Sequence, residues 1–244
     1  MLDSIDTIQN ENNTRTEIYL DDNPESPREW SNLGTMVCWH SRYNLGDDHD
    51  YKNPYHCLLD LASKGLTYKD SDLGDEYAYD DLSLPEKLSE KVWKYINSHY
   101  VILPLHLYDH SGITMSTSSF RDGWDSGQVG YIFVSFDTLR EECADRDKKG
   151  NLKSWKYITS ARKKRAIQNL KSEVETYDQY LTGDVYGFKD FCNVCDEELD
   201  SVWGFFGSNW KENGLLESAG GDCPNCKDTE ENLQLAFDFL EVSD

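Results

Sequence analysis

The stretch VILPLHLYDHSGITMSTSSFRDGWDSGQVGYIFVSF, residues 101–136, decides the fold. Its first eight residues are mostly apolar and β-favouring. Asp109-His110-Ser111-Gly112 has the composition of a tight turn, and residues 113–118 return, so a hairpin is predicted. Trp124-Asp125-Ser126-Gly127 reads as a second turn, with Asp125 capping a backbone group. It delivers the chain into a third strand over 129–136. Asp137 is placed to cap a following helix that carries Leu139 and Cys143. Consecutive strands joined by short turns make a sheet that is mostly antiparallel.

On the N-terminal side, a helix is predicted over 85–99. Ser83 and Glu86 have capping-box spacing, Pro85 lies in the first turn, and Leu88, Val92 and Ile96 recur every four residues. Leu58, Leu59, Leu61 and Ala62 suggest a shorter helix, Met36 to Trp39 a buried strand, and residues 17–20 an edge strand. Residues 1–16 are polar and aperiodic, which predicts a flexible tail. On the C-terminal side, Ile167, Leu170, Val174, Tyr177 and Leu181 form one apolar stripe on a helix over 158–181. Gly183 stops it. Strands over 185–191 and 201–206 follow, then a last helix over 230–240. The expected architecture is one α+β domain over 17–244. It has a central, mostly antiparallel sheet, flanking helices and a C-terminal zinc-knuckle-like element within 188–230.

Cys192-x-x-Cys195 and Cys223-x-x-Cys226 are the most specific motifs in the chain. Each pair supplies two sulfurs from a tight knuckle, and four thiolates complete a tetrahedral zinc site with no open position. The first knuckle falls at the tip of a hairpin over 188–203, the second in the turn 220–226. One structural Zn2+ is therefore expected. Disulfides are disfavoured in a cytosolic protein. Thioredoxin-like redox chemistry needs one such motif at a helix N-terminus, and neither motif opens a helix. Unmetallated cysteines remain the other alternative. Cys38, Cys57 and Cys143 stand singly in apolar settings and read as buried thiols.

The charge is strongly negative, 24 Lys and Arg against 46 Asp and Glu, for a net of −22. It is also uneven. Residues 1–90 carry 20 acids and 7 bases, whereas residues 148–171 carry nine bases and no acid. Direct binding to duplex DNA is disfavoured, because that binding requires neutralised phosphates. Carboxylates standing in for phosphates toward a partner with a basic surface fit the charge, and so does simple solubility. Asp47, Asp48 and Asp50, with His49, form one acidic cluster. It lacks EF-hand spacing and reads as a solvated loop. Glu230 and Glu231 form another. Arg162, Lys163, Lys164 and Arg165 occupy the start of the long helix, the wrong end for the helix dipole. They invite contact with an acidic surface, with nucleic acid or with a second copy in a homo-oligomer.

No P-loop, dinucleotide fingerprint or zincin motif is present. Weak catalytic candidates are His40, Asp109, His110 and Asp125. Cys38 and His40 alternate on one extended segment, but that spacing seldom places a nucleophile and its base in reach. Consecutive Asp109, His110 and Ser111 cannot assemble a triad among themselves. No apolar run reaches membrane-span length, and the N-terminus has no signal-peptide pattern, so a cytosolic location is expected.

SPREWSNLGTMVCWHSRYNLGD (26–47), LYDHSGITMSTSSF (107–120), WDSGQVGYIFVS (124–135) and YLTGDVYGF (180–188) resemble the motifs of a widespread family encoded by bacteriophages and plasmids. The resemblance spans roughly residues 26–210. It brings with it no activity and no catalytic residue, and the two C-x-x-C motifs lie outside its pattern. It implies a mobile-element accessory protein at work in a bacterial cytoplasm. Three functions follow as expectations. The first is an inhibitor of a host restriction or CRISPR-type effector that acts by acidic mimicry of nucleic acid. The second is an enzyme acting on nucleotides or nucleic acid, for which His40, Asp109, His110 and residues 124–128 must converge in one cleft. The third is a zinc-stabilised interaction module with residues 148–171 as its contact surface.

Overall fold

In the computed structural model, the described residues are 3–66, 86–121, 123–142, 144–154 and 156–226. The chain divides into two compact units, Pro27–Asp178 and a terminal unit made of Met1–Ser26 with Gln179–Asp244. The fold is α+β, built on two four-stranded antiparallel sheets and a two-stranded ribbon instead of one central sheet.

The central unit carries β3 (Thr35–Cys38), β4 (Tyr100–Asp109), β5 (Ile113–Ser116) and β6 (Ser126–Ser135) in the order β3-β6-β4-β5. The hairpin and the third strand thus form as the sequence predicts. β4 and β6 pair from Tyr100↔Ser135 to Tyr108↔Ser126, with one irregularity at Leu105 and His106. Strand alternation sends Tyr131 and Phe133 into a core with Leu58 and Leu61 of α1 (Pro54–Ser63) and Val92 and Ile96 of α2 (Glu86–His99). Asn53 caps α1 by accepting from the His56 backbone N–H at 2.9 Å, and Pro54 follows as its first residue. The expected capping residue Ser83 lies outside the described residues, as do Cys143 and the helix expected over 230–240.

α3 (Phe136–Glu142) is capped by Ser135, not by Asp137. The Ser135 hydroxyl accepts from the Thr138 N–H at 2.9 Å, while Asp137 sits inside the first turn. β7 (Ala144–Arg146) and β8 (Leu152–Ser154) form the small ribbon. α4 (Ser160–Thr182) buries Ala166, Leu170, Val174 and Tyr177, close to the predicted stripe. Gly34 is required where α4 meets the sheet. A Cβ there would lie 2.4 Å from Leu170 and 2.9 Å from Ile132.

Beside that contact, Arg28 is sealed in with only 5% of its side chain exposed. It donates to both carboxylate oxygens of Asp47 at 2.7 and 2.9 Å, to Glu173 at 3.2 Å and to the Gly34 carbonyl at 2.7 Å. Asp47 also accepts from the Met36 N–H at 2.8 Å, and Glu173 from Leu33 N–H at 2.8 Å. This network pins residues 28–47 to α4. Asp47 is therefore an internal partner of Arg28 and not part of a free acidic face. Asp48 and Asp50 do stay exposed.

The terminal unit corrects the reading of the first residues. β1 (Asp6–Gln9) and β2 (Thr14–Leu20) join β9 (Val185–Cys192) and β10 (Glu198–Phe206) in the order β1-β2-β9-β10. The expected tail thus holds β1 and the first residues of β2, and β2 is an inner strand instead of an edge. The short, polar β1 conceals itself in sequence because it covers an edge and buries little. Ile18, Phe188 and Leu215, the last on α5 (Leu215–Ser218), make a small core. None of the helices formed by described residues is long and apolar enough to cross a membrane.

Candidate metal centre and polar cleft

Strand alternation in β9 buries Phe188, Asp190 and Cys192 on one face. The chain then turns through Asn193–Cys195, with the Asp196 N–H bonded to the Cys192 carbonyl at 2.9 Å and Asp196 at a left-handed φ of 59°. The second knuckle is carried by residues 220–226. Asp190, 1% exposed, accepts from Thr16 at 2.5 Å and from the backbone N–H groups of Gly220 and Gly221 at 2.7 and 3.3 Å. Asn12 donates to the Gly220 carbonyl at 3.0 Å and to Asp222 at 2.9 Å. Asn225 donates to Glu197 at 2.7 Å, joining the two knuckles directly.

The four sulfurs of Cys192, Cys195, Cys223 and Cys226 lie within 4.8 Å of one another, with Cys195 and Cys223 at 3.7 Å. Zn–S bonds of about 2.3 Å in a tetrahedron require S···S separations of roughly 3.8 Å, so the cluster has the dimensions of a four-thiolate site. None of the four is in a disulfide. They can hold a metal ion, and among the described residues they are the one group of this kind. Backbone N–H groups of Cys195 and Val194 hold the Cys192 thiol down to about 7. Hydrogen bonding with Cys195 pushes Cys226 up to about 12. One thiolate forms readily and the next is resisted by it, a conflict that a bound cation removes.

The central unit brings His40, Asp109 and Asp125 of the catalytic candidates together, while His110 does not line the cleft they share. His40, Arg42, Asp109, Trp124, Asp125, Ser126 and Gln128 line one cleft of about 400 Å³. β4 ends at Asp109 and β6 starts at Ser126, and the Asp109 N–H bonds the Asp125 carbonyl at 2.8 Å. That bond zips the two turns together and sets both carboxylates at the mouth of the sheet. Asp109 is ion-paired with Arg42, and His40 Nε2 stands 4.0 Å from the same carboxylate oxygen. His110 turns away from Asp109, and its Nδ1 is 2.9 Å from Asp125. The consecutive Asp-His-Ser is therefore no triad; the dyad is His110–Asp125.

The partners fix the tautomers of neutral imidazoles. A carboxylate only accepts, so His110 carries its proton on Nδ1 and keeps the lone pair on Nε2. His40 Nδ1 accepts from the Arg42 N–H at 3.3 Å, which leaves the proton on Nε2. His40 also stacks on Tyr43 at 5.0 Å, and the Arg42 guanidinium lies 5.6 Å from the same ring. Cys38 is no nucleophile, because burial pushes its thiol up to about 12. His40, Tyr43, Asp48, His49 and Asp50 are among the residues that line a second cleft of about 670 Å³.

Of the basic run, Arg162 donates to the Tyr157 carbonyl at 2.8 Å. Lys163 donates to the Asn97 carbonyl at 3.1 Å and covers the Phe136 ring at 5.1 Å. These two fasten the start of α4, while Lys164 and Arg165 are exposed. Glu230 and Glu231 lie outside the described residues. Arg28, Arg42, Glu173, Asp190 and Asn12 were not legible as site or frame residues. For Asp190 the signal existed, since the β9 alternation puts it inward with Phe188 and Cys192. Comparison with protein-family models, with curated proteins and with solved structures finds no match for this chain.

Proposed function

We propose that this chain is a zinc-stapled enzyme of a bacterial mobile element, acting in the cytoplasm on nucleotides or nucleic acid in the cleft of its central unit. The observation that supports the reading is the meeting of His40, Arg42, Asp109 and Asp125 around one cleft, from three separate segments, with His110 bonded to Asp125. His110, oriented by Asp125, serves as general base through Nε2. His40 donates a hydrogen bond from Nε2 to the charge that develops, and Asp109 positions His40 and Arg42. In a phosphoester hydrolysis, a water oxygen bonds to phosphorus as its proton passes to His110. The ester P–O bond breaks, the leaving oxygen is stabilised by the His40 N–H and takes a proton from solvent water, and His110 returns its proton to solvent. The test is turnover of a panel of nucleotides, single-stranded DNA and RNA by the purified chain. His110→Ala and His40→Ala each lower kcat by about 10²–10⁴-fold. The reading fails if no substrate turns over, or if both variants match the parent.

Zinc is the metal we assign to the four thiolates, with a structural role because no coordination position stays open. Metal analysis of the purified chain gives one zinc per molecule.

A second reading rests on charge. A net −22, with Asp48 and Asp50 exposed, favours a host protein with a basic surface, such as the nucleic-acid channel of a defence effector. Its test is salt-sensitive, stoichiometric capture of a nuclease by the tagged chain.

A further inference from the structure

Trp124 is 96% exposed at the rim of the cleft. An indole carries a large apolar face, and one held in water beside a polar cleft offers a stacking platform. The neighbouring Gly123 and Gly127 leave the approach open, since a Cβ at either position would meet nothing within 4 Å. On the same cleft, Arg42 keeps 64% of its side chain exposed although Asp109 holds it. Asp109 engages only Nη2 in that pair, and a guanidinium has five N–H donors, so Arg42 retains donors for a second anion. The Tyr43 ring stacks on His40 and lies under the Arg42 guanidinium, bracing both donors. A platform for a planar ring and a pre-set pair of phosphate donors thus share one cleft of about 400 Å³. That volume falls in the lower part of the range for small-molecule sites, roughly 300–1,000 Å³.

We infer that the cleft takes a single mononucleotide, its base stacked on Trp124 and its phosphate bound by Arg42 and His40. This inference rests on the reading of the cleft as a substrate site, and it selects the monomer over the polymer. A chain with net charge −22 repels a polyanion far more than it repels one phosphate monoester.

The experiment is isothermal titration of the zinc-loaded full chain with AMP, GMP, CMP and UMP. Adenosine, inorganic phosphate and a short single-stranded oligodeoxyadenylate are titrated in parallel. At least one mononucleotide binds one to one, and its nucleoside and free phosphate each bind about tenfold more weakly or worse. Trp124→Ala weakens the mononucleotide by about tenfold, the size expected for one lost stacking contact, while Trp124→Phe restores most of it. Arg42→Ala reduces mononucleotide affinity to that of the nucleoside. The inference is overturned if none of the four binds below about 1 mM, a free energy of only about −4 kcal/mol. It is equally overturned if Trp124→Ala binds as the parent does, or if the oligonucleotide binds more tightly than every monomer. Mononucleotide binding without turnover of any substrate removes the enzyme reading and leaves this one standing. Turnover indifferent to Trp124 does the reverse.

Discussion

The two units of this chain solve the same problem with different means. The central unit buries α1 and α2 against Tyr131 and Phe133 and packs Leu170 against Ile132 and Gly34, with no metal ligand in that core. The terminal unit has a small buried core of Ile18, Phe188 and Leu215, and its knuckles converge on four sulfurs. A sheet with so few buried apolar side chains needs a staple, and metal binding supplies folding free energy where apolar burial is short. Burial thus holds the central unit, whereas the terminal unit sets four thiols where a metal ion can supply what burial does not.

The largest expected effect follows from removing the staple. Structural zinc contributes about 10–16 kcal/mol of apparent binding free energy in small zinc modules near pH 7. Chelation, or Cys192→Ser with Cys226→Ser, therefore unfolds the terminal sheet. Hydrogen exchange then accelerates across 185–206 and leaves β6 of the central unit protected. Equal loss of protection in both units breaks the comparison. Acid has the same direction as chelation, because protons compete with zinc for the thiolates.

Next come changes inside the metal-free core. Arg28→Ala leaves Asp47 and Glu173 without their shared cation and destabilises the central unit by about 3–5 kcal/mol. Leu170→Ala opens a cavity beside Gly34 and Ile132 and costs about 2–5 kcal/mol. Urea unfolding followed by central-unit tryptophan fluorescence measures both, and zinc content stays at one per chain in each variant.

A graded effect is expected at high pH. Burial pushes the Cys38 and Cys57 thiols from 9.0 up to about 12. The unfolded chain ionises these groups as pH passes about 9, while the folded chain cannot. Their contribution is complete below about pH 9 and is lost as pH rises toward 12. Thermal melts of the central unit across that window fall steadily, and Cys38→Ala flattens the fall.

The smallest effect on stability belongs to Asp48→Lys with Asp50→Lys, within about 0.5 kcal/mol because both side chains are exposed. Binding to a basic partner then weakens, with a shallower salt dependence, if these acids form the recognised face.

Much of this was legible in the sequence because it is governed by short-range rules. The hairpin of residues 101–118 follows from turn composition and alternation, the α4 stripe from helical periodicity, and the four-cysteine cluster from spacing. What failed did so where the deciding contact lies far along the chain. β1 is too polar to look like a strand and exists because β2 accepts it at an edge. β2 reads as an edge because its second partner, β9, begins at residue 185. The cap of α3 went to Ser135 instead of Asp137, a shift that depends on where β6 ends.

The sequence by itself determined the fold class, the residues able to hold a metal and the lack of any familiar catalytic motif. Each of these depends on residue type, period or spacing within a few turns of chain. Long-range packing alone settled that Asp47 serves Arg28, that Asn12 and Thr16 brace the cysteine knuckles from more than 170 residues away, and that His110 answers to Asp125 and not Asp109. Buried charge and hydrogen-bond capacity must be satisfied wherever the fold brings a partner, and no local pattern records which partner that is.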